Sequence, residues 1–230
     1  MKIPLSPRLR VCCGFVFPGE RVADVGTDHG YLGIWLLQQG LASSVIASDV
    51  VPGPLSAAKR NAEKFGCAHL MEFYLSDGVQ SIPRDFDTLV CAGMGADTMV
   101  SILSAAPWLQ DRRYRLILQC QSKRPMLRRY LSDNGWRITE ESVVRDGRFL
   151  YTVMEVYYEP GHPLTPGQCY FPPALLENPA LELPEFYRRV TDNLKYAIDA
   201  QGDHAPAQLR QAYNELWNDP DLQWLKEATK

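Results

Sequence analysis

A chain of 230 residues and 26.0 kDa has room for one large domain, or for one of ordinary size with an appendage. With 46% hydrophobic, 22% charged and 10% aromatic residues it has a globular composition, which excludes a disordered, collagen-like or coiled-coil-only chain. Its 24 basic and 27 acidic residues give a net charge of −3, so affinity for a polyanion must reside in a local patch.

In chain order, Ser6-Pro7 predicts an N-cap and a first helical residue for a short helix running to Cys12 or Cys13 and carrying Arg8 and Arg10. The same two arginines interrupt any apolar segment that would make a secretory leader. From residue 21 to about 135, short β-rich runs alternate with helix-length segments. Strands are predicted at 21–25, 44–48, 71–75, 87–92 and 114–119, with helices at 30–39, 54–65, 95–105 and 125–133. That alternation predicts βαβ units and a parallel sheet. The stretches 136–144 and 149–158 flank Asp146-Gly147 and predict a hairpin, which adds an antiparallel strand to an α/β sheet that is not symmetrically doubly wound.

The uncharged stretch 29–48 contains Gln38, Gln39, Gly40, Ser43 and Ser44 and is a poor membrane span, so no membrane partner is expected. Residues 160–173 hold Pro160, Gly161, Pro163, Pro166, Gly167, Pro172 and Pro173, and are expected to be a linker between domains 1–159 and 160–230. Beyond it, Tyr187, Val190, Leu194 and Ile198, then Leu209, Ala212 or Tyr213, and Leu216, recur at helical steps. Two helices with one apolar stripe each predict a helical hairpin, packed on itself or on the sheet. The cysteines at 12, 13, 67, 91, 120 and 169 form no Cys-x-x-Cys pair, and the four histidines show no ligand spacing. Free thiols, no metal and a reducing cytoplasm are expected.

The chemistry concentrates where the first strand ends in Asp24-Val25-Gly26-Thr27-Asp28-His29-Gly30-Tyr31 and runs into a helix, the place where open α/β sheets hold nucleotides. A dinucleotide fingerprint needs glycines at 26, 28 and 31, but positions 28 and 31 are Asp and Tyr. Two like charges about 4 Å apart repel by roughly 4 kcal/mol at an effective dielectric near 20, so Asp28 disfavours a pyrophosphate. S-adenosylmethionine lacks phosphate and carries a sulfonium and an ammonium, which Asp24 and Asp28 attract. Asp49, followed by Val50, ends the second strand where a ribose-binding carboxylate belongs. Ser76-Asp77-Gly78 ends the third, where a carboxylate can accept from an adenine amino group. Gly93-Met94-Gly95 ends the fourth. Taken in register, Asp24, Gly26, Thr27, Asp28, Gly30, Asp49, Val50, Ser76, Asp77, Gly78, Gly93 and Met94 are candidate cofactor-binding residues.

Four segments carry a family resemblance: Leu5-Ser6-Pro7-Arg8-Leu9, Asp24 to Leu32, Ala92-Gly93-Met94-Gly95 and Leu116-Ile117-Leu118-Gln119. Over roughly residues 3–158 the chain resembles the bacterial tRNA (adenine-22-N1)-methyltransferase family, from which it departs at Ala96 and at Cys120-Gln121. The resemblance implies a class I methyltransferase, Rossmann-like seven-stranded sheet with a C-terminal helical, coiled-coil-like domain. It also implies N1 methylation of an adenine in the tRNA D-loop region, with Asp28 near the reacting groups.

For that chemistry Asp28 is expected to orient the adenine amino group and favour the positive charge that develops on the ring, the competing role being a helix cap. Cys120 is a candidate nucleophile for pyrimidine chemistry, although no neighbouring base activates it. Residues 112–129 hold seven Arg/Lys and no acid. From that run and the first helix, Arg8, Arg10, Lys123 and Arg124 are candidate RNA contacts, with tRNA as the partner, no DNA expected and a monomer slightly favoured over an oligomer. A small-molecule methyltransferase and a catalytically inactive S-adenosylmethionine-binding RNA-binding protein are the alternatives.

Overall fold

The computed structural model describes residues 3–228. Its sheet comprises β1 (Glu20–Val25), β2 (Ala42–Asp49), β3 (Met71–Leu75), β4 (Thr88–Met94), β5 (Arg115–Cys120), β6 (Trp136–Asp146) and β7 (Phe149–Tyr158). The spatial order is β3-β2-β1-β4-β5-β7-β6. The first five strands are parallel, and β7 inserts antiparallel between β5 and β6. The chain winds outward from β1 to β3 and returns to β4 on the other side of β1. A crevice must therefore open between the carboxyl ends of β1 and β4.

The central strands are apolar at successive positions because both faces are covered. Val22, Val45, Ala47, Val90, Ile117 and Val153 pack beneath α1 (Pro7–Gly14), α2 (Tyr31–Gln38) and α3 (Pro52–Lys64). Ala23, Val25, Ile46, Leu89, Leu116 and Leu118 pack beneath α4 (Ala96–Ser104) and α5 (Arg124–Asp133). At the start of α1, Ser6 is the extended N-cap and Pro7 the first helical residue, as expected, although the Ser6 hydroxyl makes no capping hydrogen bond and is buried without a partner.

The proline-rich stretch after residue 159 is not a solvated linker. It contains α6 (Pro166–Tyr170), opened by a capping box between Thr165 and Gln168, and α7 (Ala174–Glu177), with Cys169 and Phe171 buried. Two distant side chains hold it down. Glu215 Oε2 accepts from the Thr165 hydroxyl at 2.7 Å and from Gly167 N at 2.6 Å. Arg128 Nη1 donates to the Cys169 and Tyr170 carbonyls at 2.9 and 3.1 Å, while its other nitrogens bind Glu141 at 2.5 and 3.1 Å.

The remaining helices are α8 (Leu183–Gln201), α9 (Ala207–Asn218) and α10 (Gln223–Glu227). They pack on one another through Phe186, Tyr187, Leu194, Ala212 and Leu216, and on Val143 and Leu150 of the β6–β7 hairpin. Strand alternation sends Val144 and Val153 to the opposite side, against the α1 layer. An ion pair holds each face of the hairpin: Arg8–Asp146 toward α1 at 3.3 Å, and Arg145–Glu185 toward α8.

Candidate active site

A cavity of about 390 Å³ opens at the carboxyl ends of β1, β2 and β4. Its floor is Asp24, 4% exposed, whose Oδ2 accepts the Thr27 hydroxyl at 2.7 Å. Burial pushes the Asp24 pKa up to about 6 against the opposing Thr27 hydrogen bond, with the charges of Asp49 and Asp28 adding to the rise. The turn above it is built on the backbone. Gly26 N and Thr27 N both donate to the Ser48 carbonyl at 2.9 Å, tying the β1 turn to β2. Gly26 takes a φ of 74°, and a Cβ there would lie 2.2 Å from Met94 Cε, so β4 closes against this turn.

Asp28 has a φ of 51°, in the left-handed region that aspartate tolerates better than most residues. That geometry turns its side chain outward, 70% exposed, with His29 Nε2 3.7 Å from Oδ1. Its backbone N–H donates to Asp49 Oδ2 at 3.2 Å, and Asp49 Oδ1 accepts from Val51 N at 2.9 Å. The helix-cap role is excluded. The N-cap of α2 is Gly30, and no side chain caps that end.

The cavity brings together Asp24, Gly26, Thr27, Asp28, Asp49, Gly93 and Met94 from the sequence-derived set, together with Arg8. Gly30 sits behind it, packed on Ala58 of α3. Val50 is exposed just past Asp49, outside the lining. The third-strand loop also stays outside: Ser76 N donates to Asp49 O, Ser76 Oγ accepts from Ser81 N, and Asp77 accepts from Gln80. Gly78, at a φ of 57°, abuts Ile102.

Leu9, His29, Tyr31, Leu32, Ala92 and Gln121 complete the lining. Gln121 is anchored by its backbone N–H to Met94 O at 2.8 Å, and the signal for it was its place at the end of β5. Two residues earlier, within β5, Gln119 is fully buried and its Oε1 accepts from Gly93 N at 3.2 Å, next to the irregularity between Ala92 and Met94. Cys120 is excluded as a nucleophile. Its thiol is fully buried, donates to Ser122 O at 3.0 Å, and has a pKa raised by burial.

The basic residues divide. Arg10 is exposed and donates to Leu5 O, and Lys123 is exposed and pairs with Asp97 at 2.8 Å. Arg124, which follows Lys123 at a φ of 56°, points inward. It donates to Leu150 O at 3.1 Å and lies 5.0 Å from the Phe186 ring, and burial lowers its pKa. Its place is as a strut between α5, β7 and α8 rather than on the open surface.

Among the described residues, no helix is long and apolar enough to cross a membrane. In sequence, a Bacillus subtilis (strain 168) tRNA (adenine(22)-N(1))-methyltransferase is 29% identical over 154 residues, covering 66% of this chain and 65% of that relative. The alignment thus stops short of two thirds of the relative's length. In structure, a Streptococcus pneumoniae protein described as a candidate tRNA (m1A22) methyltransferase superposes with a TM-score of 0.80 at 27% identity, covering 98% of this chain and 100% of that one. The same protein in complex with S-adenosyl-L-methionine superposes with a TM-score of 0.79 at 27% identity, over 91% and 97% of the two chains. Residues 5–154 match the family model for a methyltransferase domain, and with most of its sheet and the whole crevice inside that span, the chain belongs to the methyltransferase domain family.

Proposed function

We propose that this protein transfers a methyl group from S-adenosylmethionine to N1 of an adenine in tRNA, adenine 22 of the D-loop region. The observation that carries the cofactor assignment is the convergence of Asp24, Asp28 and Asp49 on one glycine turn at the switch point of the sheet. Three carboxylates there suit a cation and oppose a pyrophosphate. The similarity to the Bacillus and Streptococcus proteins supports the tRNA target.

The residues present fit the methyl donor. Asp24 lies beneath the turn as an anion for an ammonium or sulfonium, and Asp49 stands where ribose hydroxyls are bound in this sheet architecture. When bound, the donor supplies an electrophilic methyl group on a positively charged sulfur. Adenine N1 brings its own lone pair, so the reaction forms an N1–C bond as the S–C bond breaks, and the positive charge moves to the ring. Neither a covalent nucleophile nor a strong base is required of the protein. Its work is alignment and electrostatics. Asp28, solvent-facing at the rim, orients the adenine amino group and favours the cationic ring. Arg8 at the mouth, with Arg10 and Lys123, supplies phosphate contacts. The cytoplasm is where such a substrate is met.

Incubation with methyl-labelled donor and a transcribed tRNA, followed by mapping of the modified nucleotide, tests this. Label at N1 of adenine 22 is expected. Label confined to small metabolites would make the protein a small-molecule methyltransferase, and RNA binding without transfer would make it an inactive binding protein.

A further inference from the structure

The β6–β7 hairpin ends in Asp146-Gly147-Arg148-Phe149, with Gly147 at a φ of 60° making the turn. Phe149 at this tip is 50% exposed and belongs to none of the buried cores. The pleat puts Phe149 and Tyr151 on the same face of the hairpin as Val153, toward α1 and the crevice. Their ring centroids are 6.2 Å apart. The Arg148 guanidinium lies 4.9 Å from the Phe149 centroid, and that of Arg8 lies 5.5 Å from Tyr151. Arg8 also lines the cavity, and its Nε is buried without a hydrogen-bond partner. Two neighbouring rings, Tyr151 and Phe149, flanked by the guanidinium groups of Arg8 and Arg148, thus connect the mouth of the crevice to the hairpin tip.

We infer that this tip is a stacking platform for one unpaired base of the RNA, a neighbour of the adenine that enters the crevice. The inference rests on the proposed RNA substrate and adds a residue set that determines how RNA is held. An adenine drawn out of a folded RNA leaves its neighbours unstacked, and a ring beside the mouth replaces the lost stacking partner. A guanidinium over an exposed ring contributes only about twofold to fivefold in affinity, whereas base stacking on an aromatic contributes about fivefold to 150-fold. The base therefore displaces Arg148 from Phe149 and frees that cation for the adjoining phosphate. Asp146, the carboxylate in the turn, is already paired with Arg8 and does not repel the backbone.

The test is filter binding of a transcribed tRNA to the full-length wild-type, Phe149→Ala, Phe149→Trp and Arg148→Gln proteins across a salt series, with donor affinity measured by calorimetry. Phe149→Ala is expected to weaken tRNA binding about tenfold with an unchanged salt slope and unchanged donor affinity. Phe149→Trp stays within about twofold of wild type, and Arg148→Gln lowers the salt slope by about one. Phe149→Ala binding tRNA within twofold of wild type overturns the platform. So does an equal loss of donor affinity in that variant, which marks a structural role. Wild-type protein that binds tRNA without methylating it overturns the proposed activity and leaves the platform to be judged on Phe149→Ala alone. Wild-type protein that does not bind tRNA overturns both.

Discussion

Thr27 donates its hydroxyl to Asp24 Oδ2 at 2.7 Å, holding a buried carboxylate at the floor of the crevice whose pKa stands at about 6. Because this exceeds the ordinary value of 3.8, the folded protein holds the proton more tightly than the unfolded chain does. The contribution of this group to stability therefore declines as pH rises from about 4 to about 6, and is flat above. Binding of a cation runs the other way, since it needs the ionised form. Calorimetry is expected to show donor affinity falling by up to about tenfold per pH unit below 6, and Asp24→Asn should bind weakly with that dependence gone.

Asp28 separates chemistry from folding. Asparagine tolerates the left-handed backbone as aspartate does, so Asp28→Asn should keep the wild-type melting temperature to within a few degrees. Losing the charge should reduce kcat about 100-fold or more, with a much smaller change in donor affinity. A single-turnover assay beside calorimetry checks the split. Wild-type turnover in this variant would remove Asp28 from the mechanism.

Two glycines with similar backbone angles isolate the cost of a close approach. At Gly30, φ 73°, a Cβ would lie 3.0 Å from Ala58 Cβ and 3.2 Å from its Cα, and the body of α3 has no flexible end to yield. At Gly40, φ 67°, the same atom meets nothing within 4 Å. Urea denaturation should show Gly40→Ala losing about 1 kcal/mol from backbone strain, and Gly30→Ala losing a further 1–3 kcal/mol from overpacking.

Cys120→Ser should methylate at a rate within about threefold of wild type, because the thiol is enclosed and its proton is committed to the Ser122 carbonyl. Loss of activity without loss of folding would return the thiol to the mechanism.

The Arg128–Glu141 pair is fully enclosed, at 1% and 0% exposure. Glu141→Gln leaves the guanidinium without its counter-charge and should destabilise the protein by about 3–5 kcal/mol in urea titrations. Arg128→Met combined with Glu141→Leu should recover a substantial part of that loss, because the uncompensated charge is gone.

Much of this architecture was legible in the residues alone. The five parallel strands stood out because strands covered on both faces read as unbroken apolar runs, as in Leu116-Ile117-Leu118. The Asp24–Gly30 turn was legible because its glycines and its carboxylates both answer a chemical need. What failed to show was long-range. The proline-rich stretch looked like a tether, yet Glu215 and Arg128 reach it from elsewhere in the chain and give it buried partners. Asp77 lies at the correct end of the sheet but outside the cavity, because strand position fixes the edge and not the depth. Arg124 and Lys123 are neighbours in sequence, yet one left-handed residue separates an inward strut from an exposed cation. The ring at position 149 carries no signal in the sequence pattern, because it falls on the alternating apolar run of β7 like any strand residue.

Arg128 also bears on how such a chain can be altered. One guanidinium collects two carbonyls from the stretch after the sheet and a carboxylate from β6, so the tail is spliced into the electrostatics of the sheet half. Trading tails between relatives is therefore not a matter of cutting at residue 159. A chimera that keeps its shape must inherit position 128, position 141 and the 165–171 passage as one heritable block.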